Sequence, residues 1–184
     1  MTAKANSLVQ SANQSLSSSG VTGSSFTSVG VAACNQDFDS SSAGGSLALS
    51  WLASDDGVKT ERDSKKADLV SILLGNAVPV NGSVWGGKAN VLGNAAGQPD
   101  VAYKSCFVGD CKGATFTHEI GHNAGLMHNI EIAPGNGVFP YSRGAFFMGT
   151  DQKEYYTIMS YGTKDPNLQN WEKDAVRVDK FTGT

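Results

Sequence analysis

The chain has 184 residues, of which 40% are hydrophobic, and its formal net charge is -3 at pH 7. A chain of this length can bury one substantial core, so we expect a single domain over residues 1–184. No cluster of Lys and Arg is present to match a phosphate backbone, which argues against nucleic-acid binding. The apolar runs are too short to span a bilayer, so no membrane partner is expected.

The first half of the chain alternates helical and strand patterns. Its first apolar residues recur at helical spacing and predict an amphipathic helix that ends at residues 17–20. These apolar residues are Ala5, Leu8, Val9, Ala12 and Leu16. A strand is predicted where Val29, Val31 and Ala33 alternate with other residues. A helix is predicted around residues 47–52, and the apolar run at residues 69–74 predicts a central strand covered on both faces.

The second half contains further strand and helix patterns. Strands are predicted at residues 88–92 and 100–107, and a helix is predicted to begin at Ala114. A closing helix is predicted from an apolar stripe that consists of Leu168, Trp171, Ala175 and Val178. This order favours an α/β (α+β) fold, in which helices pack on a mixed, twisted sheet.

The segment His-Glu-Ile-Gly-His-Asn-Ala-Gly-Leu-Met-His at residues 118–128 contains all three histidines of the chain. Residues four apart lie on one face of a helix, so His118 and His122 can direct their imidazoles at one cation. Gly125 accepts the left-handed backbone that ends a helix sharply, which allows His128 to return to the same point. The spacing therefore predicts a metal site with three imidazole ligands.

The ligand set and its neighbour indicate zinc chemistry. Three neutral imidazoles suit zinc and leave one coordination position open for water, as in catalytic rather than structural sites. Zinc lowers the pKa of such a water to about 7. Glu119 follows the first ligand directly, so its carboxylate should lie at the rim of the site and accept a proton from that water. The residues predict hydrolysis assisted by one catalytic Zn²⁺, with Glu119 as the general base.

The full pattern His-Glu-x-x-His-x-x-Gly-x-x-His resembles the signature of the metzincin zinc endopeptidases. Residues 156–162, Tyr-Thr-Ile-Met-Ser-Tyr-Gly, are similar to the methionine turn of that family. The resemblance implies that Met159 lies beneath the three imidazoles as an apolar floor. It also implies that Tyr161 is an additional zinc ligand or an oxyanion donor, as in astacin-like and serralysin-like enzymes. Plain packing is the alternative role of Tyr161.

Among the metzincins, the chain is similar to bacterial reprolysin-like enzymes, including the peptidyl-Asp metallopeptidases. His122, Asn123, Gly125 and His128 follow the reprolysin-like pattern, whereas Asn129 stands where that branch usually has aspartate. The order of the predicted helix around residues 47–52 and the apolar run that follows it is also similar.

The resemblance implies a metalloendopeptidase that hydrolyses peptide bonds of proteins. It implies an upper lobe over about residues 1–128, a small irregular lower lobe over about residues 129–184 that includes the closing helix, and a cleft between them. An extended substrate would pair with the outer strand of the sheet, and residues 81–98 are expected to supply that rim.

The resemblance also implies secretion to the extracellular space and control by a pro-segment or a protein inhibitor. The first residues lack the apolar core of a signal peptide, so we expect the chain to lack both its signal and its pro-segment. A monomer with an unblocked cleft is expected.

Three cysteines leave the redox state open. Cys106 and Cys111 enclose a short loop just before the zinc helix, and a disulfide between them would brace the entry to that helix. Cys34 would then be left over. Three reduced, partly buried thiols are the alternative.

Two further predictions concern selectivity and a second metal. Arg143 lies in the loop that usually shapes the pocket for the residue after the cleaved bond in this family. Its guanidinium would favour an acidic side chain there, and an exposed surface arginine is the alternative. Asp37, Asp39 and the turn at residues 55–57 could hold a structural Ca²⁺, although acidic turns are usually solvated loops.

Two other classes of function stay open. A gluzincin would complete the His-Glu-x-x-His pair with a downstream glutamate such as Glu154, and the presence of Gly125, His128 and Met159 argues against it. A zinc-bearing binding module or inactive protease would capture peptides without cutting them. A turnover assay separates that module from an enzyme.

Overall fold

The structure is a computed structural model, which describes residues 1–39, 41–75, 86–98, 102–107, 112–135, 137–162 and 175–181. Within these ranges the chain has a mixed α/β architecture of four helices and two small three-stranded sheets. The helices are α1 (Thr2–Ser18), α2 (Ser42–Ser54), α3 (Asp56–Ser64) and α4 (Gly113–Asn123). The strands are β1 (Val70–Leu74), β2 (Gly87–Ala89), β3 (Tyr103–Phe107), β4 (Phe146–Met148), β5 (Glu154–Tyr156) and β6 (Val176–Arg177). In the part of the chain described, no helix is both long and apolar enough to cross a membrane.

The predicted amphipathic helix at the start of the chain is confirmed as α1. Leu8 and Ala12 are buried on one face of α1, where they pack against Phe116 and Ile120 of α4. The helix ends at Ser18, just before Gly20, whose φ of +74° is the left-handed conformation that glycine tolerates. Helix α1 therefore supports the helix that carries the candidate metal ligands.

The first sheet has the order β1-β3-β2, with β1 parallel and β2 antiparallel to β3. The prediction that β1 is a central strand is wrong among the described strands, where β3 occupies the centre and β1 lies at an edge. Its two faces are nevertheless covered: Ile72 packs with the apolar side of α2, and Leu73 packs with the α1–α4 cluster. An unbroken apolar run indicates that both faces of a strand are buried, but it does not indicate whether other strands pair with both of its edges.

The strand predicted from Val29, Val31 and Ala33 is absent from the structure, which has no regular element between residues 21 and 39. Val29 is 52% exposed, so the apolar side of the alternating pattern does not face a core. A strand also needs a neighbour for its N–H and C=O groups, and alternation alone cannot specify that neighbour.

The second sheet has the order β4-β5-β6, with β4 antiparallel and β6 parallel to β5. The predicted closing helix is wrong within the described residues, since Ala175 and Val178 flank strand β6. The Val178 N–H donates to Tyr156 O at 2.8 Å, and this bond to β5 requires an extended backbone. Leu168 and Trp171, the first half of the predicted stripe, lie outside the described residues.

Two of the acidic residues considered for calcium, Asp39 and Asp55, lie at helix starts. Asp55 is the N-cap of α3 and accepts from the Val58 N–H at 2.9 Å, while Asp39 accepts from the Ser41 N–H at 2.8 Å just before α2. The predicted pair of Cys106 and Cys111 falls outside the described residues, because Cys111 does. Cys34 is a free thiol on the surface.

Candidate metal centre

Helix α4 presents two of the candidate ligands one turn apart. Phe116 and Ile120 anchor one face of α4 on α1, which leaves His118, Glu119 and His122 on the other sides of the helix. The Thr117 hydroxyl donates to Gly113 O at 2.7 Å and satisfies a carbonyl near the start of the helix. The two imidazoles are thus fixed on one rigid, packed element.

The end of α4 is a Schellman motif built around Gly125, whose φ is +86°. The Leu126 N–H donates to Gly121 O and the Gly125 N–H donates to His122 O, each at 2.9 Å. A Cβ at Gly125 would lie 2.7 Å from the Cβ of Val138, so close packing and backbone conformation both require glycine here. The chain leaves the helix abruptly, as the sequence predicts.

His128 is carried by a short extended segment rather than by a helix. Met127 forms an isolated parallel bridge with Arg143. The Met127 N–H donates to Ser142 O at 2.9 Å, and the Met127 carbonyl accepts from the Gly144 N–H at 2.8 Å. These bonds fix the backbone beside His128 and return its ring to α4.

The three imidazoles converge on one point. Their ligand nitrogens lie within 4.8 Å of one another, and His128 Nε2 is 3.1 Å from His118 Nε2 and 3.0 Å from His122 Nε2. A tetrahedral zinc with nitrogens at about 2.0–2.1 Å holds them about 3.3–3.4 Å apart. The spacing in the structure is close to that requirement.

The other ring nitrogens determine which atoms face the site. His118 Nδ1 lies 2.7 Å from Ile158 O, and His122 Nδ1 lies 2.8 Å from Leu126 O. A carbonyl can only accept, so each Nδ1 carries the proton and each Nε2 presents a lone pair. Lone pairs in such contact repel one another unless a cation lies between them, and the donor set therefore fits a bound zinc ion.

The electrostatic environment keeps the imidazoles neutral. Burial, and then the neighbouring His122, lower the pKa of His118 to about 4. Burial, and then the other two histidines, lower the pKa of His128 to about 3. Burial also lowers the pKa of His122. Neutral imidazole is the form that binds a metal, so the site is ready to bind zinc at neutral pH.

Glu119 is only 5% exposed beside its histidine neighbour, and burial raises the pKa of its carboxyl to about 8. The charges of Lys104 and Lys88 oppose this rise. Lys104 is 2% exposed on β3, with its Nζ 3.4 Å from the centroid of the Phe116 ring. Burial lowers the pKa of Lys104 to about 7, and the charge of Glu119 opposes that shift.

Sequence reasoning missed Lys104. The signal available was a lysine inside the predicted strand at residues 100–107, at a position where both faces of the sheet are covered.

Met159 is fully buried in a turn that follows β5. The Ser160 N–H donates to Thr157 O at 2.9 Å and closes this turn. The Met159 sulfur packs against Gly121, between the first two ligands of α4, and a Cβ at Gly121 would overlap it. The same segment supplies Ile158 O to the imidazole of His118. Met159 therefore packs directly under the part of α4 that carries the ligands.

Tyr161 lies beside the histidines. Its ring centroid is 4.2 Å from that of His128 and 5.8 Å from that of His118. Burial, and then the charge of Glu119, raise the pKa of Tyr161 to about 12, so its phenol stays protonated at neutral pH. The structure thus brings together a protonated hydroxyl, three imidazoles and a buried carboxyl group.

Arg143 is engaged with its own loop. Its Nη2 donates to Gly135 O at 2.7 Å and its Nε donates to Pro140 O at 3.3 Å. These bonds brace the loop that follows the third histidine. Glu154 lies in β5 and is not a member of the three-histidine group, which is the one potential metal-binding cluster among the described residues.

Three imidazoles aimed at one point, with a buried carboxylate beside them, are the arrangement of a metal-dependent hydrolase. The chain belongs to the family described as metallo-peptidase family M12, whose reprolysin-type model (Reprolysin_5) matches residues 1–172. This match confirms the reprolysin-like resemblance found in the sequence. Family M12 consists of zinc-dependent peptidases, and the three histidines of this chain form a site that could bind such a metal.

Two individual proteins are also similar. The metallopeptidase AprA of Pseudomonas marginalis is 36% identical over 64 residues, which cover 35% of this chain and 13% of AprA. A solved structure described as a chaperone-substrate complex is 23% identical, covers 74% of this chain and 18% of that chain, and has a TM-score of 0.45. This chain therefore spans a small part of the length of each of these proteins.

Proposed function

We propose that the chain is a zinc-dependent endopeptidase that cuts peptide bonds of proteins with Glu119 as general base. The observation that supports this most directly is the convergence of three Nε2 atoms beside a buried carboxylate. His118, His122 and His128 would hold the zinc. Zinc, when bound, polarises the scissile carbonyl and makes water a stronger acid.

Glu119 moves the proton in the proposed reaction. Its carboxylate accepts a proton from the attacking water and then delivers that proton to the nitrogen of the leaving amine. The site excludes most solvent from the Glu119 side chain, and this burial raises the proton affinity of its carboxylate. Glu119 is therefore suited to exchange a proton near neutral pH. The mechanism requires no covalent bond between the chain and its substrate.

Tyr161 is proposed as a hydrogen-bond donor to the oxyanion. Its protonated phenol and its position against His128 support this role, because a donor must lie next to the carbon under attack. Met159 is proposed as the apolar floor of the site and its turn as the methionine turn of the metzincins. The packing of its sulfur against Gly121 supports that assignment.

Substrate binding is proposed along strand β2. Among the strands that the structure describes, β2 lies at an edge of its sheet, and an extended peptide can pair with such an edge through main-chain hydrogen bonds. The chain just after β2 touches the metal helix, since the Leu92 N–H donates to His122 O at 3.0 Å. A cleft between an upper lobe (about residues 1–128) and a lower lobe (about residues 129–184) would place the peptide there.

Two finer proposals rest mainly on the family. Arg143 would favour an acidic residue after the cleaved bond, and its place opposite Met127, next to His128, supports a role near the substrate. Peptide profiling reads this preference directly. Secretion as a monomer, restrained by a pro-segment or inhibitor, is proposed from the reprolysin-like family alone.

The Glu119→Gln variant tests the general base. Glutamine keeps the shape of the side chain but cannot accept the proton, so we expect zinc content to stay at the wild-type level. Peptide turnover should fall about 100- to 10,000-fold. The matched control, Glu61→Gln on the exposed side of α3, should leave both unchanged.

Full turnover in Glu119→Gln would overturn the assignment of the base. A folded, zinc-loaded wild-type chain that binds peptides without cutting them would instead indicate a binding module.

A further inference from the structure

Asn129 directly follows the third histidine and is 1% exposed, although its side chain is polar. Its Oδ1 accepts from the Tyr161 N–H at 3.4 Å, and its Nδ2 donates to Glu131 Oε2 at 3.0 Å. The carbonyl of Asn129 also accepts from the N–H groups of Ile132 and Ala133. One buried amide thus connects the chain after His128 to the backbone of Tyr161.

Glu131 and the Tyr161 N–H both favour the same orientation of this amide. A carboxylate can only accept, so it binds the NH₂ end of the amide and turns the oxygen toward the Tyr161 N–H. The reverse orientation would place NH₂ against N–H and oxygen against carboxylate, which loses both hydrogen bonds. Glu131 is exposed and reaches Asn129 from the surface, so it can fix the amide without being buried itself.

We propose that Asn129 and Glu131 form a positioning pair that holds the ring of Tyr161 against His128, an inference that rests on the proposed function for the use of that ring. The pair fixes the backbone N–H of Tyr161, and the ring then lies against that of His128 in a tilted contact, with 4.2 Å between the two ring centroids and 44° between the ring planes. Aspartate at position 129 would still accept from Tyr161, but it would face the Glu131 carboxylate across 3.0 Å. The asparagine that departs from the family pattern is therefore matched to Glu131.

The test exchanges the chemical roles of the two partners in the zinc-loaded protein. Asn129→Asp should lower kcat for a cleaved peptide about tenfold, as expected when a charge-assisted hydrogen bond becomes a repulsion. KM should change little, because the displaced phenol acts on the transition state. Adding Glu131→Gln should restore kcat to within about twofold of wild type, since the glutamine NH₂ can donate to the carboxylate introduced at position 129.

Hydrogen exchange gives a readout that does not depend on activity. Asn129→Asp should speed exchange of the Tyr161 amide at least about tenfold, and the double variant should restore its protection. The Gly144 amide, which donates to Met127 O on the other side of the site, is the internal control and should not change. Failure of wild-type turnover would refute the proposed function, whereas these exchange rates still test the pair.

Glu131→Leu covers the case in which Asn129→Asp does not fold, because Glu131 is on the surface. Loss of the carboxylate should lower kcat about threefold and speed Tyr161 amide exchange by a similar factor, while Glu61→Leu should do neither. A Glu131→Leu protein with the wild-type kcat and the wild-type exchange rate of the Tyr161 amide would overturn the proposed Asn129–Glu131 pair. An Asn129→Asp defect of equal size with and without Glu131→Gln would overturn it as well.

Discussion

Substitution of Gly121 by alanine tests whether Met159 and the metal helix are packed against each other. An added Cβ would overlap the Met159 sulfur and would lie 3.1 Å from its Cε and 3.4 Å from its Cγ. Met159 is fully buried among Ile158 and Phe181, so its thioether cannot swing into solvent. The methyl group must therefore displace the methionine or the helix.

The expected change in the free energy of unfolding of Gly121→Ala is the difference between two effects. Alanine in place of a helical glycine gains about 1 kcal/mol of helix propensity. Overpacking by one methyl in a filled core costs about 1–3 kcal/mol. We expect the free energy of unfolding to fall by about 1 kcal/mol. Gly57→Ala in α3, whose added Cβ would meet only Asp55 Oδ1 at 3.1 Å, should leave the free energy of unfolding unchanged or raise it.

The assay is urea denaturation of the zinc-loaded protein at one fixed concentration of free zinc, because bound zinc adds to stability. Met159→Ala alone should cost about 2–5 kcal/mol by leaving a cavity. The double variant Gly121→Ala/Met159→Ala should be more stable than the sum predicts by at least about 1 kcal/mol, since the new methyl enters that cavity. The packing of Met159 against Gly121 would be refuted if the changes in the free energy of unfolding for the two single variants simply added in the double variant. It would also be refuted if Gly121→Ala raised the free energy of unfolding as much as Gly57→Ala does.

Two further predictions concern pH and selectivity. The charge of Lys104 lowers the pKa of Glu119, so Lys104→Met should raise that pKa and move the acidic limb of kcat/KM to higher pH. Glu119 must be ionised to act as the base. An acidic limb that stays fixed or moves to lower pH would therefore contradict the expected direction of the shift. Lys153→Met, which replaces an exposed lysine, is the control. Arg143→Ala should reduce cleavage before Asp and Glu about tenfold relative to cleavage before neutral residues. A wild-type profile without acidic preference, or one unchanged in Arg143→Ala, disposes of that role.

The local parts of the site could be predicted from sequence because a helix fixes their geometry. The spacing of His118 and His122 and the glycine at position 125 follow from one turn of helix and one left-handed residue. The amphipathic pattern of α1 was sufficient for the same reason, since its apolar stripe reports burial within a single element.

The other features depend on contacts between distant parts of the chain. Tyr161 meets Asn129 across 32 residues, and Lys104 reaches the vicinity of Glu119 only after β3 packs beside α4. Two predicted elements were wrong because the sequence does not show which segments pair with each other. Val29 pairs with no strand among the described residues, and Val176 pairs with Tyr155 in a region where a helix was predicted. Sequence periodicity describes which faces are apolar, but it does not specify which segments meet.

The most direct test of a zinc endopeptidase is cleavage of a mixed peptide library by the purified chain, with cut positions read by mass spectrometry. The same reaction is run with a zinc chelator, after zinc is restored, and with Glu119→Gln. Internal cuts that disappear with the chelator, return with zinc and are nearly absent in the variant are the expected result. Cuts that persist without zinc, or no cuts by a folded and zinc-loaded chain, would contradict the account.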